Sequence, residues 1–476
     1  MKKTSKWMLL AVLALAQFMV VLDVSVVNVA LPAIKQALHF DASTLQWVIT
    51  AYALTFGGFL LLGGRAADLF GRRRVLLTGM IGFTTFSFLI GISSSATMLI
   101  ILRALQGMAA ALMSPAALSI VLTTFKEGKD RNTALGVWSS VAAGGAATGL
   151  LLGGVLTQYF GWEWNFFINV PVGIAVIAAI LRIIPVQARQ ADHNDLDLPG
   201  AALVTGGLMS LVYGLAQAPT WGWTNGRTIG MGILAAVLLI GFFVNESRSK
   251  HPLMPLSILR VRNVIGANLM MAPLYAGVLG TFFLSSLYIQ TVLRFSPVFT
   301  GLSFIVFPIV LVNVATRVPK LIGKVGFKPF LIVGPLFVMS AMLWLARLPL
   351  DGSYWVDLLP AFILLPIGMG MTIVSLTIAA TSGVAAHESG LASGMISTSQ
   401  QMGGALGLAV LSGVSASVAG NGTTVTVAKL VNGDDVAFLV ASSFMMIALL
   451  IALFVIKQPK KQSHEKTKSH TVLAEA

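Results

Sequence analysis

The first residue of the chain that could do chemistry is an acid stranded among apolar neighbours. The segment Leu22-Asp23-Val24-Ser25-Val26-Val27-Asn28-Val29-Ala30-Leu31-Pro32 sets the carboxyl group of Asp23 well inside an apolar run. An ionisable group within lipid is costly and marks a functional site by default. Burial disfavours its charged form, so such a group is suited to taking up and releasing a proton as its surroundings change. A structural cap or ion pair, or a wet position near the outer interface, would account for the same residue. Asp23 is the only acid that the sequence is expected to place inside a span.

Arg103 is its basic counterpart. In the run Leu99 to Pro115, helical spacing puts Arg103, Gln106, Gly107, Ala110 and Ser114 on one face, polar at a few positions and small elsewhere. A buried guanidinium needs an acceptor, and Asp23, helix carbonyls or a substrate anion could each serve. A third cluster runs from Gly64 to Arg74. Its glycines permit a sharp turn, and Asp68 can accept from arginines or cap a helix start. Gly64, Asp68, Gly71 and Arg72 are therefore candidates for a charge clasp at a cytoplasmic mouth, the plainer alternative being a solvated basic loop. Asn28, Gln106, Met113, Gln400 and Gln401 are candidates for lining a substrate cavity, methionine for its adaptable contacts. Gln400 and Gln401 could equally join helices by hydrogen bonds.

The elements that must position these groups are apolar helices. Of 476 residues 56% are hydrophobic and 10% charged, too apolar for several soluble domains of that combined length. A bilayer-crossing helix needs roughly 20 apolar residues. Such runs recur over residues 7–31, 46–64, 75–94, 98–122, 133–158, 165–184, 199–218, 228–245, 263–290, 299–316, 328–348, 356–380, 390–418 and 436–456. The expected class is an all-α polytopic membrane protein with fourteen transmembrane helices.

The net charge of +14 reports orientation rather than nucleic acid, because the basic residues, Arg103 aside, sit in short segments between apolar runs. With both termini cytoplasmic, the outer face holds only Lys35, Arg227, Arg294, Arg347 and Lys429, while Arg65, Arg72 to Arg74, Lys126, Arg260, Lys328, Lys457 and others gather inside. That places the chain in the cell membrane as a multi-pass protein. Lys2-Lys3 followed by Trp7 to Val21 has the charge order of a signal peptide, but the apolar run is longer and is expected to be a retained first span.

Cysteine is absent, which excludes disulfides and thiol chemistry. The six histidines fall in predicted loops or tails, no phosphate-binding G-x-x-x-x-G-K-[ST] occurs, and no nucleophile-base constellation lies within the spans. An enzyme is therefore not expected, nor a cofactor; a proton gradient is the expected energy source. Small-molecule substrate, protons and the lipid bilayer are the expected partners of a chain acting as a monomer.

Weak internal symmetry organises the spans. Gly63 to Arg74 after the second has a partner in Lys320 to Lys328 after the tenth, and Gly145, Gly149 and Gly153 of the fifth in Gly403, Gly404 and Gly407 of the thirteenth. Small residues at four-residue spacing suit close helix packing in membranes. The offset of eight spans implies a six-helix bundle over residues 1–188, two linking helices over 189–255, a second bundle over 256–458 and a cytoplasmic tail over 459–476.

With these residues assembled, the chain resembles the major facilitator superfamily, and within it the fourteen-span drug:proton antiporters. Gly64 to Arg74 resembles motif A, with Ala66 where leucine is usual; Leu99 to Ala111 resembles motif B; the Asp23 segment resembles motif D, with Ser25 in place of the frequent threonine. Gly161 to Pro171 is also similar to a family segment, with Glu163 where arginine is common, and Leu150 follows Gly149 where the antiporter motif C has proline. The resemblance implies alternating access by rocking of two six-helix bundles, proton exchange at Asp23 assisted by Arg103, and a cytoplasmic gate at Gly64, Asp68 and Arg72. The expected function is proton-coupled export of lipophilic or cationic drugs and other small molecules; a dedicated exporter or symporter of one metabolite, lipid or peptide is the alternative.

Overall fold

The computed structural model describes residues 3–125, 129–184, 197–249, 252–253, 256–381, 389–420 and 426–458. Among them the chain is helical throughout, without a strand. In lipid every backbone N–H and C=O must find a partner within the chain, which a helix achieves within itself. The long helices are α1 (Lys3–Ala37), α2 (Trp47–Phe70), α3 (Arg72–Gly91), α4 (Ala96–Thr124), α5 (Lys129–Tyr159), α6 (Asn169–Ile183) and α7 (Leu198–Trp221). They continue with α8 (Gly226–Arg248), α9 (Arg262–Thr291), α10 (Val306–Val325), α11 (Lys328–Leu345), α12 (Leu359–Thr381), α13 (Ser389–Ala419) and α14 (Val427–Phe454). Among the described residues twelve helices are long and apolar enough to cross a membrane; α2, whose apolar stretch Trp47–Leu60 is shorter, and α5 are the two outside that set.

The helix ends follow from local chemistry. Ser95, Asn225, Ser296 and Thr426 each accept a backbone N–H of the turn they precede. The stretch expected as a loop from Gly64 to Arg74 is helical up to Phe70 and again from Arg72, because its residues are ordinary helix formers. Only Gly71, at φ 93°, breaks the run, and Gly326 at φ 83° makes the same break between α10 and α11. His39 and Arg294, the two described non-glycine residues with positive φ, are separated by the same offset as that glycine pair.

Packing repeats with the same shift. Helix α1 packs on α5 and α9 on α13; α2 on α4 and α10 on α12; α3 on α4 and α6, and α11 on α12 and α14. Glycine makes the closest of these contacts possible: Gly149 and Gly153 face the Leu22 to Val26 backbone of α1, and Gly403 and Gly407 face Ala272 and Ala276 of α9. The intervening pair sits differently. Helix α7 lies against both α2 and α13, where Thr205 Oγ1 donates to the Gly58 carbonyl at 3.1 Å, while α8 packs on α7. Asp197 caps α7 and accepts from Asn245 Nδ2 of α8 at 2.6 and 2.8 Å, pinning the pair together.

One expectation is corrected here. The last span begins at Val427 rather than near residue 436, so Asp434 and Asp435 lie within α14 and Asp23 is not the only intrahelical acid. Thr426 caps the earlier start, Gly433 lets α14 close on the Ser415 backbone of α13, and the buried Asp434 accepts from Ser415 Oγ at 2.7 Å.

Candidate functional site: a buried carboxylate network

Asp23 faces inward from α1 towards α3, α4 and α6, and none of its surface reaches solvent. Arg103 of α4, 1% exposed, donates from Nη1 to Asp23 Oδ2 at 2.5 Å. The other carboxylate oxygen, Oδ1, accepts from Gln106 Nε2 at 3.0 Å and from Asn169 Nδ2 at 3.0 Å. Those two amides also both donate to Ser87 Oγ of α3, at 2.9 and 3.0 Å. The pattern is that of an ionised carboxylate, with both oxygens accepting and charge-assisted bonds on each.

The guanidinium has more than one anchor. Arg103 Nε donates to the Val48 carbonyl of α2 at 2.9 Å, Nη1 also reaches Gln106 Oε1 at 2.7 Å, and Cζ lies 4.3 Å from the centre of the Tyr52 ring. Of the acceptors open to it at the sequence level, both Asp23 and a helix carbonyl are used. Removing water from two charges is costly, and such a pair is tolerated when geometry is good and the remaining donors are satisfied. If a proton neutralised Asp23, Arg103 would keep the Val48 carbonyl, Gln106 and the aromatic face of Tyr52. Arg103 is therefore held by more than its contact with Asp23.

The sequence profile of the Major Facilitator Superfamily matches residues 13–408, most of the chain and all of this network. The chain belongs to the Major Facilitator Superfamily. It is 38% identical to the puromycin resistance protein of Streptomyces alboniger, the match covering 98% of this chain and 94% of that protein. It is 35% identical to the tetracenomycin C resistance and export protein of Streptomyces glaucescens over 87% of this chain and 77% of the relative, and 38% identical to the cephamycin export protein of Amycolatopsis lactamdurans over 90% and 88%. Among solved structures, the POT family transporter PepTSo superposes with a TM-score of 0.69 at 17% identity, covering 95% of this chain and 97% of that one. At that identity the likeness concerns the fold alone. The chain is thus a multi-pass membrane protein of a transporter superfamily and not an enzyme.

Within this superfamily member the other candidate residues separate into groups. Gln106 is enclosed in the Asp23 network, and Met113 is fully buried where α4 meets Gly79 of α3, so both sit inside the packing of the first six helices. Asn28 bonds through Nδ2 to the Val24 carbonyl while its buried Oδ1 has no partner. Gln400 and Gln401 are half-buried on α13, and Gln401 with Met402 abuts Gly57 of α2 where the first six helices meet the last six. At the proposed gate, Gly64 faces Pro115 of α4, Gly71 makes the break, and Arg72 opens α3 with its side chain half-buried. Arg73 donates to the Leu181 carbonyl at 3.0 Å, and the Asp68 side chain lies outside the described residues.

Ser87, Asn169 and Tyr52 were not singled out from the sequence. Each is a polar-tipped residue in an apolar stretch, and Asn169 stands in the Gly161 to Pro171 segment that carries part of the resemblance. A lone serine or asparagine in a greasy helix was the available signal, but such residues more often bond their own helix.

Proposed function

We propose that this chain is a proton-coupled exporter of lipophilic or cationic drugs, working by alternating access with Asp23 as the coupling carboxylate and Arg103 as its charge partner. The observation that carries the proposal is the fully enclosed Asp23 to Arg103 contact, in which Arg103 holds two further acceptors. Proton uptake weakens the tie between α1 and α4; proton loss restores it. The first bundle (1–188) and the second (256–458) rock about a cavity between them, with the 189–255 pair alongside, so that the proton and the drug exchange on opposite strokes. Fourteen crossings with both termini in the cytoplasm fit the basic residues between the spans. Export of drugs is supported by relatives whose names state resistance or export.

The deciding measurement is drug uptake into proteoliposomes under an imposed proton gradient, with and without a protonophore. Asp23→Asn is expected to lose gradient-driven transport; transport at the unaltered rate would overturn the assignment.

A narrower reading has its own support. The relatives quoted above are each named for a single antibiotic, which favours a dedicated exporter. A substrate panel separates the two: activity confined to one chemical scaffold selects the narrow reading, and activity across unrelated scaffolds the broad one.

A further inference from the structure

Proline within a helix leaves a carbonyl without its partner, because it has no N–H to donate to the residue four positions back. In α1 that proline is Pro32 and that carbonyl belongs to Asn28. A buried backbone carbonyl left unpaired is destabilising, so the question is what satisfies it. The donor comes from the other six-helix set. Ser286 of α9, itself fully buried, gives its hydroxyl to the Asn28 carbonyl at 2.7 Å, and Gln290, one turn further along, reaches the adjacent Val29 carbonyl at 3.0 Å.

These contacts lie at the end of the bundle where α1 finishes and α2 begins, and others there also join the first six helices to the segments that follow. Ser412 of α13 donates to Gln46, which precedes α2. Gly154 of α5 faces the backbone of Pro297, Gly301 faces the backbone of Leu150, and Val298 N donates to Gln158 Oε1 at 3.3 Å.

We infer that Ser286 and Gln290 form a latch that closes this end of the transporter by capping the α1 carbonyls one turn before Pro32. The inference rests on the alternating-access reading above. A neutral hydrogen bond of this kind suits a reversible gate: when the halves part, water replaces the serine at the carbonyl, so neither state leaves it bare and the net difference is small. An ion pair at the same place would trade a larger desolvation cost against a stronger hold. Asp23 and Asn28 lie on one helix less than two turns apart. A shift of α1 that moves Asp23 relative to Arg103 therefore also moves the latch acceptors relative to α9.

The absence of native cysteine allows spin labels to be placed at Gln36→Cys and Lys429→Cys, exposed positions at this end on α1 and α14. Distances between the labels, measured by pulsed electron resonance in proteoliposomes without drug or gradient, report whether the end is closed. Ser286→Ala is expected to raise the open population about two- to tenfold, the worth of one hydrogen bond, and Ser286→Thr, which keeps the hydroxyl, to restore the closed distances. Pro32→Ala returns an N–H to α1 and supplies Asn28 with its own partner, so adding Ser286→Ala to that background should change the population by less than about twofold. Unchanged distances in Ser286→Ala, or an equal change in both backgrounds, would overturn the latch. Transport plays no part in the readout, so a chain that exports nothing could still show the latch, and an active exporter could still lack it.

Discussion

Asn169, the first residue of α6, donates its side-chain amide to Asp23 Oδ1 at 3.0 Å across 146 positions of sequence, and the same amide reaches Ser87 of α3. Three helices are thereby referred to one carboxylate oxygen. In the proposed mechanism, a change in the charge of Asp23 would be felt by α3 and α6 as well as by α4, giving protonation leverage over the first six helices.

Asn169→Ala should uncover that leverage. Loss of a donor to a charged, buried acceptor costs about 1.5–3 kcal/mol. We expect a lowered midpoint of thermal unfolding in detergent and gradient-driven drug uptake reduced by about tenfold or more. An unaltered midpoint would show that the amide contributes nothing to holding Asp23.

Charge pairing is tested by a double-mutant cycle. Arg103→Leu leaves a buried carboxylate without its cation and should destabilise the fold by about 3–5 kcal/mol. Adding Asp23→Asn removes the stranded charge, so the double variant should be more stable than Arg103→Leu alone. If the double variant is instead less stable than the single one, the two side chains do not act as a pair. Arg103→Lys should not rescue transport, because one ammonium cannot reproduce the fork that spans Asp23, Gln106 and the Val48 carbonyl.

A buried acid in the last helix offers a control. Asp434 bonds Ser415 within the last six helices, remote in sequence from the Asp23 network. Asp434→Asn can keep a hydrogen bond to the serine and should retain proton-driven uptake that Asp23→Asn loses. The reverse outcome would move the coupling site to α14.

Glycines near the first helix break should separate by what surrounds them. Gly63 closes on the Ala111 backbone of α4, so Gly63→Ala should be the most damaging to folding yield. Gly71 has open space around it but φ 93° and ψ 125°, a region L side chains scarcely enter, so Gly71→Ala should cost about 1–3 kcal/mol through strain alone. Gly64→Ala adds a methyl at ordinary contact with Pro115, 3.7 Å away, and should be close to neutral. Thermal unfolding of the three variants in detergent checks the order, and a Gly64→Ala protein as unstable as Gly63→Ala would contradict it.

Much of this was legible in the residues themselves. Fifty-six per cent hydrophobic composition and basic residues that, Arg103 aside, lie between apolar runs determined that the chain spans a membrane as helices, because transfer from water to lipid depends on residue type more than on neighbours. Asp23 and Arg103 stood out for the same reason: a charge in a greasy run is conspicuous wherever the helix ends up. The spacing of Gly145, Gly149 and Gly153 likewise marked a close-packed face before its partner, α1, was known. Only the tertiary structure decided who meets whom. That Arg103 leans on the Val48 carbonyl, that Asn169 and Ser87 complete the carboxylate site, and that Ser286 answers the carbonyl freed by Pro32 are pairings across distant segments. The helical run up to Phe70 and the early start of α14 at Val427 were missed because a few charges or glycines read as loop when local composition is the only guide. Polar groups in helices can satisfy themselves locally or across an interface, and the choice is settled by which faces the bundle brings together.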